Sequence, residues 1–387
     1  MLEDLAGLLG DSTQWTVANL YIVGQKLQQT GSSVGAWVHK HRRKLIVVGI
    51  LTGSGFLAIR FIKYKINQFK ISFEKQQKEF DKMRMKNYFD SAQKSCDASV
   101  INFIEHALRN RLNTAVEIPS AQAVRQIESK EEKLAQWEKI KVGSFTKALL
   151  TLYTVTLLTL FVRVEVNILG RYVYMNTAIS VTDEGDDQMP VEEPIPDAIT
   201  KKYLAHTEYL IEEGLPELAE FITSQVEEEM TAWPVTGKYN TEHLSALLAN
   251  LRNRIDFLPG GMQRRPLYPY LLPVEEDLIE ESLPEQLQCL LNETRDVTES
   301  EKFGNILGVM LDQACSSLLN GISAAYQTSN QVNNGLMAMP HIIPILRDQA
   351  SKLIDEKVPE NVLWPLFKNQ QVEEYSYYIF TSSYDQE

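Results

Sequence analysis

The sequence predicts an all-α protein: a single large elongated helical bundle in the cytosol, preceded by one N-terminal transmembrane helix. Three observations predict it. Apolar residues recur at three- and four-residue steps through most of the chain after residue 100. No stretch alternates apolar with polar residues between hairpin turns. One segment, "HRRKLIVVGILTGSGFLAIRFIKYK" at 41–65, carries an uncharged run between two basic clusters. At 387 residues, 44% hydrophobic, 23% charged and with a mean hydropathy of −0.21, the chain has the composition of a folded protein, neither polytopic in a membrane nor disordered.

Residues 1–40 form an N-terminal extension expected to be poorly ordered. It opens "MLEDLAGLLGD", acidic and without a long apolar run, which fits neither a secretory signal nor a mitochondrial transit peptide. Residues 41–65 are the anchor. A bilayer core of ~30 Å needs about 20 helical residues, and Leu45 to Ile62 covers ~27 Å with Arg60 able to snorkel. Its apolar body is Leu45, Ile46, Val47, Val48, Gly49, Ile50, Leu51, Gly53, Phe56, Leu57 and Ile59. Basic clusters on both flanks make a dry protein core a costly place for it. The same symmetry leaves orientation undecided by the positive-inside rule.

Residues 66–387 are the cytosolic helical bundle domain. Residues 66–94 carry Phe69, Phe73 and Phe80 at helical spacing and predict a helix that joins the anchor to the bundle. Ile101, Ile104, Leu108 and Leu112 form the next apolar stripe, and others run over Leu134 to Val166, Tyr209 to Val226, Leu244 to Ile255, Leu287 to Ile322 and Ile342 to Leu353. The run "ALLTLYTVTLLTLFV" at 148–162 is too short for a second span, holds four threonines and ends at Arg163 and Glu165, so it predicts a buried core helix. Proline- and glycine-rich loops are expected at 180–200 and 256–284.

The net charge of −13 is local: between Val181 and Met230 fifteen Asp or Glu face only Lys201 and Lys202. Such a surface repels phosphate backbones, which excludes a nucleic-acid partner and is described by a solvated acidic loop and helix face. Cys96, Cys289 and Cys315 are scattered and odd in number, as reduced thiols packed in the core of a cytosolic domain. Asn292-Glu293-Thr294 matches a glycosylation acceptor and is expected to be unmodified. The six histidines form no zinc spacing, there is no phosphate loop, and the GxSxG match at Gly31 to Gly35 lacks a strand-turn-helix setting. No cofactor, metal or catalytic residue is predicted.

The informative stretch is "KLAQWEKIK", Lys133 to Lys141. Lys133, Trp137 and Lys141 fall at i, i+4 and i+8, bordered by Leu134 and Ile140, which gives an indole with an ammonium one turn to each side. An amphipathic helix carrying apolar residues and acids fits such a stripe. A tryptophan that caps the core beneath solvated lysines fits it too, and spacing alone favours the cap.

The run "WEKIKVGSFTKALLTLYTVTLLTLFVRVEVNILGRYVY" from Trp137 to Tyr174 resembles the peroxin three family of peroxisomal biogenesis factors. "NYFDSAQKSC" before Ala98, "LLNETRD" at Leu290 to Asp296, "HIIPIL" at His341 to Leu346 and the basic-flanked anchor resemble it too, in collinear order from about residue 39 to the mid-300s. The resemblance implies a non-enzymatic protein held in the peroxisomal membrane by one helix, N-terminus in the matrix, that docks the soluble receptor peroxin nineteen. It implies that this partner's N-terminal amphipathic helix enters a hydrophobic groove far from the membrane, allowing membrane proteins to be inserted. The family's groove tryptophan maps onto Trp137, with Lys133 and Ile140 at neighbouring positions and His341 where a lysine is common. A tether that recruits cytosolic adaptors for peroxisome inheritance or turnover is the alternative role. Residues 1–38 have no counterpart in the family, and "QIESKEEKL" lacks a proline found in some members.

Overall fold

The computed structural model describes residues 77–182, 195–261, 263–273, 283–355, 357–358 and 361–382. The N-terminal extension, the anchor at 41–65, the GxSxG match and the acidic stretch 183–194 lie outside the described residues. The rest is helical, apart from one two-residue ribbon and short turns.

Helix α1 spans Gln77–Phe103 and passes through a π turn, Ile104–Leu108, into α2, Arg109–Ala115. The short α3, Ala121–Arg125, starts where the Ser120 side chain accepts from the Gln122 amide at 3.3 Å. Helix α4, Lys130–Thr182, is 53 residues long, about 80 Å at 1.5 Å per residue. Its middle is apolar on every side, so no face is left for water, and such a helix is stable only when neighbours enclose it. They do: every residue from Ala148 to Val162 is buried, as the 148–162 run predicts. Along the most apolar stretch of this helix 94% of residues lie inside the bundle.

Three of the four threonines in that run fold inward without cost to hydrogen bonding, while the hydroxyl of Thr154 is buried with no partner. Thr151, Thr156 and Thr159 each donate to the carbonyl four residues back, at 2.7 to 2.8 Å. The predicted end of the run at Arg163 and Glu165 is not an exit to solvent, because both residues are themselves buried. The Arg163 guanidinium meets Asp97 of α1 at 2.6 Å and the Phe367 carbonyl at 3.1 Å. Arg171 meets the Ile379 carbonyl at 3.1 Å and pairs with Glu293. One Glu165 oxygen accepts the Thr207 hydroxyl and the other has no partner, so burial holds this carboxyl well above the usual carboxylate range.

The neighbours follow in order. Helix α5 is Asp197–Leu204, and a π turn, Leu210–Gly214, leads into α6, Leu215–Met230. Gly214 is required there, since a Cβ would collide with the Tyr270 carbonyl oxygen. Strand β1, Lys238–Tyr239, precedes α7, Thr241–Asp256, whose start is a capping box between Asn240 and His243. The Leu287 to Ile322 stripe is two helices rather than one: α8, Glu285–Glu299, and α9, Glu301–Thr328. Ser300 divides them, with an extended backbone and a side chain that accepts from the Phe303 amide. Strand β2, Met337–Ala338, pairs antiparallel with β1 in the register Lys238 to Ala338 and Tyr239 to Met337. Then come α10, Met339–Leu353, α11, Leu363–Phe367, and α12, Gln370–Thr381.

Helices α1, α6, α8, α9, α10 and α12 pack directly on α4, while α7 lies on α6 and α9. Cys96 and Cys315 are buried as expected, but Cys289 is exposed because it falls on the outer face of amphipathic α8. Thr294 of the glycosylation match is fully buried, its hydroxyl 2.6 Å from that of Tyr203. Toward the C-terminal end of α4, Tyr174 packs with Phe89 of α1 and Phe380 of α12, and Tyr88 lies against them with its ring 5.8 Å from that of Phe380. Trp137 lies on the same helix 37 residues earlier, about 55 Å away along the axis.

Candidate functional site

The first turns of α4 differ from its middle in exposure. Lys133 and Trp137 are half-buried and Leu134 is 43% exposed, so these three present an indole, an isobutyl group and an ammonium on consecutive turns. Ile140 lies one turn further and is wholly buried, so it supports the stripe from below rather than facing outward.

Lys141 does not sit on the rim where helical spacing puts it. It is 1% exposed, and its ammonium donates to the carbonyls of Met230 at 3.0 Å and Trp233 at 2.7 Å. A buried ammonium needs such acceptors, and these lie at and just past the C-terminal end of α6, where a cation also complements the helix dipole; the Met230 carbonyl accepts the Trp233 amide as well, at 3.1 Å. Glu138 completes the clamp by pairing with Lys141 and accepting the Val235 amide at 2.9 Å. Two residues of the predicted docking stretch, Glu138 and Lys141 one turn apart, thus fasten α4 to the 231–240 connection.

That connection carries an aromatic group that sequence reasoning missed. The rings of Trp233 and Tyr239 are 5.1 Å apart, and His243 stands edge-on to both at 6.5 and 6.2 Å. Burial, and then the charge of Glu138, push the Tyr239 hydroxyl above its ordinary value, so the neutral phenol donates to the Pro234 carbonyl at 3.0 Å. The signal available in the sequence was a tryptophan set among turn residues in "AWPVTGKYN".

The ribbon of β1 and β2 links this corner to α10. The Met339 amide donates to the Gly237 carbonyl at 3.2 Å, and His341 follows in the first turn of α10 with its side chain exposed. Among the described residues no hydrogen bond or ring contact joins His341 to Trp137. Two further cations were also missed. Lys147 shares a face with Lys133 and Ile140 at seven-residue spacing and donates to Asn113 at 2.7 Å. Burial, and then the positive charge of Arg347 on α10, lower the Lys147 ammonium below its ordinary value. The cationic flank of the stripe is therefore Lys133, Lys147 and Arg347, without Lys141.

Among the described residues no group of three His, Cys, Asp or Glu gathers to hold a metal ion. The arrangement offers an aromatic and aliphatic contact surface with cations beside it, which is chemistry for holding a partner.

A family model described as Peroxin-3 matches residues 105–382, most of the chain and nearly all of the described bundle. The chain is 24% identical over 371 residues to peroxisomal biogenesis factor 3 of Homo sapiens, covering 90% of this chain and 96% of that protein. It is 26% identical over 328 residues to peroxisome biogenesis protein 3-1 of Arabidopsis thaliana, covering 80% and 90%. For peroxisome biogenesis factor 3 of Dictyostelium discoideum the identity is 23% over 309 residues, covering 75% and 73%. The chain belongs to the Peroxin-3 family, a family of peroxisome biogenesis factors rather than enzymes.

Proposed function

We propose that this chain is a single-pass protein of the peroxisomal membrane, anchored through residues 41–65, whose cytosolic bundle docks the soluble receptor peroxin nineteen so that membrane proteins are inserted. The observation that carries this reading is the half-buried Trp137 beside the exposed Leu134, on a helix that is enclosed from Ala148 to Val162. A tryptophan needed only for the core has no reason to share its turn with an exposed leucine. An amphipathic partner helix covers both, and acids on its flanks meet Lys133, Lys147 and Arg347. Helix α1, which follows the anchor in sequence, meets α4 near Tyr174, so a partner at Trp137 is held at the far end of that helix.

Partner binding tests the assignment. Truncating an interface indole removes about 2 to 4 kcal/mol, so Trp137→Ala is expected to weaken binding of the partner's N-terminal helix roughly 30- to 1000-fold with the thermal melt unchanged. Equal affinity of the mutant and the natural protein in titration calorimetry sinks the assignment. Membrane anchoring is tested by alkaline carbonate extraction, which is expected to leave the full-length chain in the pellet.

A further inference from the structure

The opposite side of the same helix segment carries a second cleft. Gln136, Lys139, Gly143 and Thr146, spaced three and four apart, face away from Trp137 and form its floor. Its walls are the 115–119 connection after α2 and the α6 residues Thr223 and Glu227. It encloses about 990 Å³. At Ala115, Thr223 and Glu227 it runs into a neighbouring depression of about 570 Å³ that continues along α6 past Glu220 to Leu215.

Two independent features say what fits there. The first is charge. Glu117, Glu220 and Glu227 line the trough, are exposed, and form no ion pair among the described residues. The other lining acid, Glu138, is taken by Lys141, and the lining Arg111 is taken by Glu212. Lys139 is the remaining cation, so the free charge is negative. The second is an unmet hydrogen bond. The Thr146 hydroxyl on the floor is fully buried and has no partner, a state shared on this helix by Thr154 in the enclosed stretch and not by Thr151, Thr156 or Thr159. A buried hydroxyl left unpaired is destabilising, and an occupant able to reach it would offset that cost.

We propose that this trough is a second docking site, taking a short cationic segment of a partner protein that carries Lys or Arg among small apolar residues. Its backbone or side chains reach Thr146, its apolar residues lie on Val116, Ile118 and Val142, and its cations pair with Glu117, Glu220 and Glu227. Anionic lipid headgroups and nucleic acid are repelled by the same acids. The site is independent of Trp137, so both faces of α4 can be occupied at once.

The test uses the full-length chain in non-ionic detergent and a fluorescein-labelled 12-residue peptide with four lysines and leucines at helical spacing. Fluorescence anisotropy is expected to show saturable binding that weakens at least about tenfold in the double variant Glu117→Lys, Glu227→Lys and weakens with added salt. Thr146→Val, which keeps the volume and removes the hydroxyl, is expected to weaken binding about threefold with an unchanged circular dichroism spectrum. Trp137→Ala is expected to leave the affinity within twofold, which separates this site from the first. The proposal is overturned if the natural protein shows no saturable binding, or if a peptide with glutamate in place of lysine binds equally. It is also overturned if the double charge reversal changes nothing, or if Trp137→Ala alone abolishes binding.

Discussion

Residues 130–147 and 148–171 belong to one helix and draw on the same kinds of side chain, yet they meet opposite surroundings. In the later stretch neighbours close over every side, and even its charges are consumed internally: Arg163 by Asp97 and Gln93, Arg171 by Glu293 and Ser382. In the earlier stretch Trp137, Leu134 and Lys133 keep part of their surface in solvent, while Ile140 and Lys141 one turn after Trp137 are as buried as anything in the core. Apolar content does not mark the functional part of a helix. An aromatic and an aliphatic group left half open beside residues that are fully closed does so.

That contrast is breakable by substitution. The largest effect is expected from Leu157→Ala, at a position with no exposure in the enclosed stretch. It should lower unfolding free energy by about 2 to 5 kcal/mol in urea titrations while partner affinity stays the same. A partner affinity that falls with it would mean that the two stretches are not separate. Lys141→Met is expected to come next. Carbonyls of Met230 and Trp233 lose their donor and Glu138 its counter-ion, so stability should drop by about 1 to 3 kcal/mol. If stability is unchanged and only salt-dependent partner binding suffers, the lysine is a rim residue after all.

The smallest effect concerns pH. Burial raises the Glu165 carboxyl well above its ordinary 4.5, so the folded chain holds that proton more tightly than the unfolded one. Stability held by that proton is present in acid and is lost as pH rises through the folded value. Glu165→Gln removes this dependence: the melting temperatures should match near pH 4, with the variant increasingly ahead toward pH 8. Parallel curves for the two proteins would show that the carboxyl ionises freely within the fold.

Much of this was legible in residue order. The helical class and the enclosure of 148–162 follow from spacing, because local periodicity reports which faces are apolar, whereas for Trp137 spacing alone favoured a core cap and the docking role came from the family resemblance. What spacing misses is what arrives from far along the chain. The acceptors that bury Lys141 are 89 and 92 residues away, and the Arg347 charge beside Lys147 comes from another helix. A stripe also cannot show a break that leaves its period intact, so Ser300 divides α8 from α9 through its hydroxyl and extended backbone alone. The exposed Cys289 went unseen because thiol burial was inferred from residue type rather than from its place on α8.

Arg163 and Arg171 suspend the last two helices through main-chain oxygens, at Phe367 and Ile379, which no side-chain substitution takes away. A premature stop codon ahead of residue 363 takes both oxygens away at once, leaves Arg163 and Arg171 with side-chain partners alone and uncovers the apolar surface of α4 that α12 encloses. Nonsense alleles clipping only the final twenty-odd residues should therefore behave like gene deletions, yielding a polypeptide that quality control degrades before it reaches any organelle.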